Sequence, residues 1–573
     1  MHNPQSFQGN GLFAKSKVYR GMMILSFIIA AGTNIGWAQS LNPADVDELH
    51  RRSREQAQER QDRENQKDTF LQEKTKAIDD ISLPIETISF PISILHLEGE
   101  RADKFPWAQK MLDQYAGKPI GKDGIALIVK RVNNAFIARG YTTTRVTVPE
   151  QDLSTGKLKL IIIPGIIRDI RFASPDTPGI WANAFSIRSG DILNIRDLEQ
   201  GLEQMKRVPS QEVDLQIAPG GQLGESDIII TVKRDKYWRM AFSLDDSGTE
   251  STGRLQSSVT YSIDNLFGSN DIFYIAVNKD AQQEDYLYGT FGNSLYYSVP
   301  YGNWTFTLNG SQNEYHQTVQ GINQKFIYSG NSDTLQVTAQ QVVDRGQHHK
   351  TSMEYSIIKK HSKSYINDTE IVVQRKDVTA GQIGISHRHY YGPTIMDIKL
   401  SQRWGVPWFG AQGEGNLPQG SPTTRYKLWI LDASVATPMK IASKEGRYTC
   451  SLHAQYSRDV LYASDFLSIG NRYTVRGFDG EQTLAAENGW YVRNEFSIPV
   501  NKATEAYIGL DYGRVYGPSS QGLLGKEVAG TALGLRGGDK QLQYDVFVSV
   551  PIYKPTGYQT ASRYYGFQLN YQL

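Results

Sequence analysis

The sequence holds a single cysteine, Cys450, among 573 residues, so it can form neither an internal disulfide nor a thiolate zinc cluster. It has almost no excess of charge of either sign, with Lys+Arg 61 against Asp+Glu 60. The basic footprint of a nucleic-acid binder is therefore missing, and no nucleic acid is expected as a partner. No G-x-x-x-x-G-K-[ST] loop occurs, so no nucleotide is implied, and nothing else points to a cofactor. Long apolar runs are also lacking. The best candidate, residues 21–29, is cut short by Gly32, Thr33, Asn34 and Gly36, well below the ~20 apolar residues a membrane helix needs. If the chain resides in a membrane, it does so as a β-barrel. A hydrophobic share of only 39% is compatible with that, because a spanning strand turns only every second residue to lipid.

What is present begins with an export signal. Lys15, Lys17 and Arg20 precede the short apolar run, and Gly36-Trp37-Ala38 supplies small residues for cleavage, giving a signal peptide over 1–38. The following stretch, 39–68, is predicted helical. Asn42 is a suitable N-cap, Pro43 suits N1, and Asp45, Asp47 and Glu48 suit the positive end of the helix dipole. Asp47–Arg51, Glu48–Arg52 and Glu59–Arg63 stand at i,i+4. Val46 and Leu49 are its only apolar residues of note, so this helix must lie in water, free as a solvated tail or inside a hydrated cavity. Residues 42–68 would span about 40 Å, enough to thread a membrane-sized pore.

A linker is expected over 69–87, then two small α+β units over 88–164 and 165–235. In the first, 88–97 reads as a strand. Ile125, Ile128, Val129, Val132 and Phe136 form a helical stripe ended by Gly140, and strands follow at 143–148 and 157–163 around a turn at Gly156. The second repeats the plan. A strand at 166–172 precedes a helix capped by Asn194, with Ile195, Leu198, Leu202 and Met205 inward, and strands close the unit at 213–217 and 227–233.

From 236 to 573 the periodicity changes to two. Trp238, Met240, Phe242 and Leu244 alternate with Arg239, Ala241, Ser243 and Asp245; at the end Tyr565, Phe567, Leu569 and Tyr571 alternate with Gly566, Gln568, Asn570 and Gln572. A soluble sandwich or propeller would also alternate. The export signal and the aromatic last strand favour a transmembrane antiparallel barrel of about 16 strands in the outer membrane of a Gram-negative bacterium. Val299-Pro300, Thr437-Pro438, Ile498-Pro499 and Val550-Pro551 read as markers of short turns, separated by longer Gly-rich loops.

The loop 459–489 is long enough to be functional or disordered. In the strand after it, Tyr491, Arg493, Glu495 and Ser497 point to the lumen; in the next, Asp511 points inward between Gly509 and Gly513. A loop folded back into the lumen would bring Arg476 to Asp511, although spacing alone would sooner fit a solvated loop arginine. Val475, Arg476, Gly477 and Phe478 resemble the Val-Arg-Gly-Phe/Tyr motif of two-partner secretion transporters, the haemolysin and haemagglutinin secretion/activation proteins. Gln151, Asp152, Leu153, Gly156 and Leu158 resemble a motif of that family's first polypeptide-transport-associated (POTRA) domain, and Arg196-Asp197-Leu198-Glu199-Gln200 resembles the helix of its second. Leu573 departs from the aromatic residue common at the family's C-terminus.

The resemblance implies an Arg476–Asp511 pair and a plug helix seated in the barrel. It also implies a monomer, in contact with outer-membrane lipid, that takes a large unfolded exoprotein from the periplasm and secretes it without nucleotide hydrolysis. The run Glu487-Asn488-Gly489-Trp490-Tyr491 is similar to exporters of haemolysins and of contact-dependent growth-inhibition toxins. An outer-membrane assembly factor is the alternative. An enzyme is not expected, because His348, His349, His387 and His389 come without a companion motif.

Overall fold

A computed structural model describes residues 43–65, 68–71, 81–234, 236–282, 287–321, 324–415, 418, 420–441 and 444–573. The expected signal peptide, the Asn42 cap, the side chains of Asp47 and Arg63 and part of the expected linker lie outside the described residues.

The described residues open with helix α1, Pro43–Asn65. Two α+β units of one topology follow. In each three-stranded sheet the strand last in sequence lies in the middle, parallel to the first and antiparallel to the second. These are Ile94–Glu98, Lys157–Ile163 and Arg145–Thr147 in one, and Ile166–Phe172, Glu225–Arg234 and Gln211–Pro219 in the other. Helix Lys122–Ala138 covers the first sheet through Ile128, Val132 and Phe136; helix Ile195–Lys206 covers the second through Leu198, Leu202 and Met205. Gly140, at φ +94°, ends the earlier helix, and its carbonyl accepts a bond from Ile195 N at 2.9 Å, so the stop of one unit seats the start of the next.

Three expectations are corrected here. The strand expected over 88–97 breaks at Ser93, because its halves take different partners: Phe90–Ile92 pairs with Lys118–Ile120, and Ile94–Glu98 with Lys157–Ile163. A helix not foreseen, Pro106–Asp113, buries Ala108 and Leu112 in the first core. The end of the expected linker belongs structurally to that unit. Glu86 reaches the N-terminus of Lys122–Ala138 and accepts bonds from Gly121, Asp123 and Gly124 N at 3.1, 2.8 and 2.8 Å.

Residues 238–572 close a barrel of sixteen antiparallel strands, from Trp238–Asp245 to Tyr564–Gln572, whose last strand pairs with the first through Leu569↔Leu244 and Tyr571↔Phe242. Its chemistry is inside out for water. Phe306, Leu335, Ile383, Ile508, Leu510 and Leu533 are exposed on the outer wall, whereas Ser298, Ser356, Gln455 and Asp511 are buried within. Only a lipid surround stabilises that arrangement.

The two units sit at one mouth of the barrel, here the proximal rim. Asn183 donates to Pro300 O at 3.1 Å, and Gln204 donates to Trp304 O at 3.2 Å. Turns at this rim are short, such as 302–303 and 392–393, and the long connections lie at the distal rim. Pro300, Pro438 and Pro499 fall near proximal strand ends as expected. Pro551 does not. It lies at the distal end of Leu542–Tyr553, beside a register shift at Ala529/Gly530 where the lumen loop docks.

Candidate functional site

Within the lumen, α1 runs from the distal rim to the proximal one. Asp45 accepts from Lys376 at 2.9 Å near the distal end of one strand, and Asp68, just past the helix, pairs with Lys350 at the proximal end of another. Over 23 residues the helix is about 34 Å long, close to the thickness of a bilayer core. It is polar nearly all round and is held by polar contacts. Arg52 donates to Ser464 O, Phe466 O and Gln455 Oε1, each at 3.2 Å, and Arg54 donates to Ser247 Oγ at 2.6 Å. The Glu48–Arg52 pairing expected from sequence is replaced: Glu48 pairs with Arg51 and with Lys360 at 3.3 Å, because the wall offers both residues better partners. Among the described side chains of the helix, Leu49 is the one buried apolar anchor, 2% exposed among Tyr426, Leu428, Leu461 and Phe466. Beside the acidic end remains a cavity of about 300 Å³, walled by Asp45, Glu48, Lys360, Lys376 and Arg403.

The loop between strands Lys444–Ser457 and Asn488–Pro499 folds back into the barrel. It is not structureless. Leu467–Ile469 pairs with Leu484–Ala486, and Leu467, Ile469, Val475, Phe478 and Leu484 form a core with Tyr491, Val515, Val528 and Tyr558 of the wall and distal rim.

At its tip Arg476 meets Asp511. Nε donates to Oδ2 at 2.7 Å, Nη2 to Oδ1 at 2.9 Å, and the Arg476 backbone N–H to Oδ2 at 3.0 Å. The remaining guanidinium hydrogens reach Glu495 at 2.5 Å and Asn494 O at 3.1 Å. Both side chains are buried, at 6% and 0% exposure, so the bidentate bond is shielded from competing water.

Three glycines make the approach possible. A Cβ at 509 would stand 2.3 Å from Arg476 Nη2, one at 513 would stand 2.9 Å from Val475 Cγ2, and one at 530 would stand 1.9 Å from Arg476 O. Gly477, at φ +114°, turns the chain against Val550 O, and Phe478 packs edge-on to Tyr558 at 5.6 Å. A second anchor escaped the sequence reading: Arg472 donates to Asp246 at 2.8 Å, and Asp246 also takes the Phe567 N–H and the Tyr564 hydroxyl. No local pattern ties Arg472 to a residue 226 positions away.

The other sequence candidates lie apart from this pair. Gln151 exchanges bonds with the backbone of Lys159 at 2.8 and 2.9 Å, Asp152 caps a turn through Ser154 N, and Leu158 is in the first core. Gly156 O takes Ser93 N at 2.8 Å, fixing the register of that sheet. Leu153 packs against the same core, so the motif builds its domain. His349, His387 and His389 stack 5.7–6.1 Å apart on the face that carries Ile383 and Ile385 outward. Among the described residues, no group of three or more His, Cys, Asp or Glu is arranged to hold a metal.

Residues 224–537 match the haemolysin secretion/activation protein family ShlB/FhaC/HecB, and residues 90–165 and 166–219 match POTRA domains, the former of ShlB type. The chain belongs to this family. It is 44% identical over 476 residues, 82% of each chain, to outer membrane transporter CdiB-2 of Burkholderia pseudomallei. It is 26% identical to hemolysin transporter protein ShlB of Serratia marcescens, over 76% of this chain and 77% of the other. The fold superposes on CdiB from Acinetobacter baumannii with TM-score 0.82 at 26% identity, covering 92% of this chain and 99% of that one. CdiB from Escherichia coli gives 0.83 at 22% identity over 93% and 99%. As a family member the chain is an outer-membrane transporter of two-partner secretion, with its POTRA domains in the periplasm and its distal rim toward the cell exterior.

Proposed function

We propose that α1 closes the secretion pore at rest and leaves it so that an unfolded exoprotein can pass, while the Arg476–Asp511 pair holds the inner loop against the wall. The observation that carries this is a polar helix threaded through the lumen and fixed there mainly by hydrogen bonds and ion pairs. Such contacts, each with a charged partner, exchange for water at a net cost of roughly 1.5–3 kcal/mol apiece, and releasing the helix exposes no broad apolar face. In the first periplasmic sheet Gln109 and Asn133 already bond the outward backbone of the edge strands Ile94–Glu98 and Arg145–Thr147, so the edge strand Gln211–Pro219 of the second sheet is the one to which an extended chain can add as a strand. That mode of capture asks little of the exoprotein's side chains.

The cargo we propose is an exoprotein of the contact-dependent growth-inhibition type, since the relative of 44% identity is a CdiB transporter; the run 487–491 resembles exporters of haemolysins and of growth-inhibition toxins alike and does not choose between them. The protein acts as a monomer in this reading. Deleting residues 43–65 and recording conductance in planar bilayers tests closure: the deletion should raise open conductance, and an unchanged trace would remove the helix from the pore's gate. Co-expression with a candidate growth-inhibition exoprotein and with a haemolysin tests the cargo, and secretion of the haemolysin alone would overturn the assignment.

A further inference from the structure

Just past α1, residues 68–71 lie in a groove that reads them as a bound peptide would be read. One wall is the face of helix Ile195–Lys206 that carries Glu199 and Glu203; the other is the proximal rim of the barrel, with Arg345, Lys350, Arg388 and Tyr390. Three backbone atoms of the segment are held by side chains. Leu71 N donates to Glu199 at 2.8 Å, Thr69 N to Glu203 at 3.3 Å, and Thr69 O accepts from Arg345 at 2.8 Å. Leu71 packs against the core of the second unit, and two further side chains are read through polar and ring contacts. The Asp68 carboxylate takes Lys350 on one oxygen and the Tyr390 hydroxyl on the other at 2.6 Å, with Arg388 3.9 Å away, and the Phe70 ring stands edge-on to Tyr390 at 5.2 Å.

The walls keep their own order. Lys350 and Arg345 pair with Glu203 at 2.7 and 2.9 Å, Arg196 with Glu199 at 2.8 Å, and Arg388 with Asp397 at 2.7 Å. The groove's charges therefore stay partnered when the segment leaves, so emptying it strands no buried charge. Phe70 meanwhile is exposed, so it contributes contact with Tyr390 without being locked in a core.

We propose that this groove is a binding site for an extended stretch of the exported polypeptide that bears a carboxylate two residues ahead of an aromatic ring, with residues 68–71 as its resting occupant. The proposal rests on the reading that α1 leaves the pore, because withdrawal of the helix carries the segment out of the groove. Backbone recognition makes the site tolerant of sequence, and the two side-chain contacts give it direction and register. A tethered occupant sits at high effective concentration, which keeps the groove closed to casual ligands until the helix moves.

The test uses the full chain in detergent and a fluorescent peptide carrying residues 66–73, read by anisotropy. Asp68→Asn with Phe70→Ala loosens the chain's own segment and should tighten peptide binding about tenfold over the wild type. Adding Tyr390→Ala should abolish that gain, whereas Tyr390→Phe, which keeps the ring, should retain part of it; a heat-dependent shift in electrophoretic mobility verifies that each barrel is folded. A peptide with the same Asn and Ala replacements should not bind. Equal binding by the wild type and the loosened variant, or binding indifferent to Tyr390→Ala, overturns the proposal. Peptide binding with no conductance change on deleting α1 would refute closure and leave the groove standing; raised conductance without peptide binding would refute the groove alone.

Discussion

Gly509 faces the Arg476 guanidinium so closely that a single added methyl would stand 2.3 Å from Nη2. Gly509→Ala should therefore displace Arg476 from Asp511 without removing any charge. Protease digestion of intact cells should cut the loop 458–487 faster than in the wild type, and the yield of secreted partner should fall. A loop as resistant as the wild type's would mean the wall yields where the geometry says it cannot.

Asp511→Asn should have the larger effect. It leaves Arg476 buried with only Glu495 for charge, and breaking a buried pair from one side costs roughly 3–5 kcal/mol. Asp511→Glu, which keeps the charge but lengthens the arm toward a loop already in contact, should recover secretion only in part. Secretion assays with barrel levels equalised decide the order.

The Arg472–Asp246 contact is the second fastening of the same loop, and Asp246 also holds Tyr564 and Phe567 of the last strand. Asp246→Ala should loosen loop and seam together by roughly 1–3 kcal/mol, seen as faster hydrogen exchange at both 564–567 and 471–474. Faster exchange at only one of the two would separate what the contact joins.

Leu49 is the buried apolar fastening among the described side chains of α1. Leu49→Ala removes buried area worth roughly 2–5 kcal/mol and should raise the open fraction of the pore in bilayers. Arg52→Ala, which frees two loop carbonyls and Gln455, should act in the same direction. Closed-state lifetimes equal to the wild type's in both variants would show that other contacts hold the helix.

Asp227 of the second POTRA domain is held at about 2 by hydrogen bonds from Arg168 and then Arg171. A carboxyl depressed below its unfolded value of roughly 3.9 adds stability above that pH and loses it as pH falls toward 2. Asp227→Asn should speed hydrogen exchange of residues 228–230 at pH 7, and the difference from wild type should shrink steadily on acidification. A difference constant with pH would assign the effect to shape rather than charge.

The features legible in the sequence are those written at short range. Period-two alternation marked the barrel wall, and the Ile125–Phe136 stripe and Asn194 marked the helices that cover the two sheets. Asp511 between two glycines was visible because inward and outward residues alternate strictly along a strand. What escaped depends on partners far along the chain. Glu86 caps a helix that begins 36 residues later, Asp246 reaches Arg472 across the lumen, and residues 68–71 find their groove only when a helix and a barrel rim come together. Pro551 misled for a different reason: proline marks a strand end without saying which mouth of the barrel that end faces.

The direction in which α1 threads the barrel carries a consequence for timing. Its leading end points toward the outside world and its trailing end is moored beneath, at Lys350. A cork tied from below can be drawn back only into the compartment that holds the string. In the proposed cycle cargo moves the other way, so retreat and export cannot share the channel at one moment, and the doorway is vacated inward before the first traveller starts out.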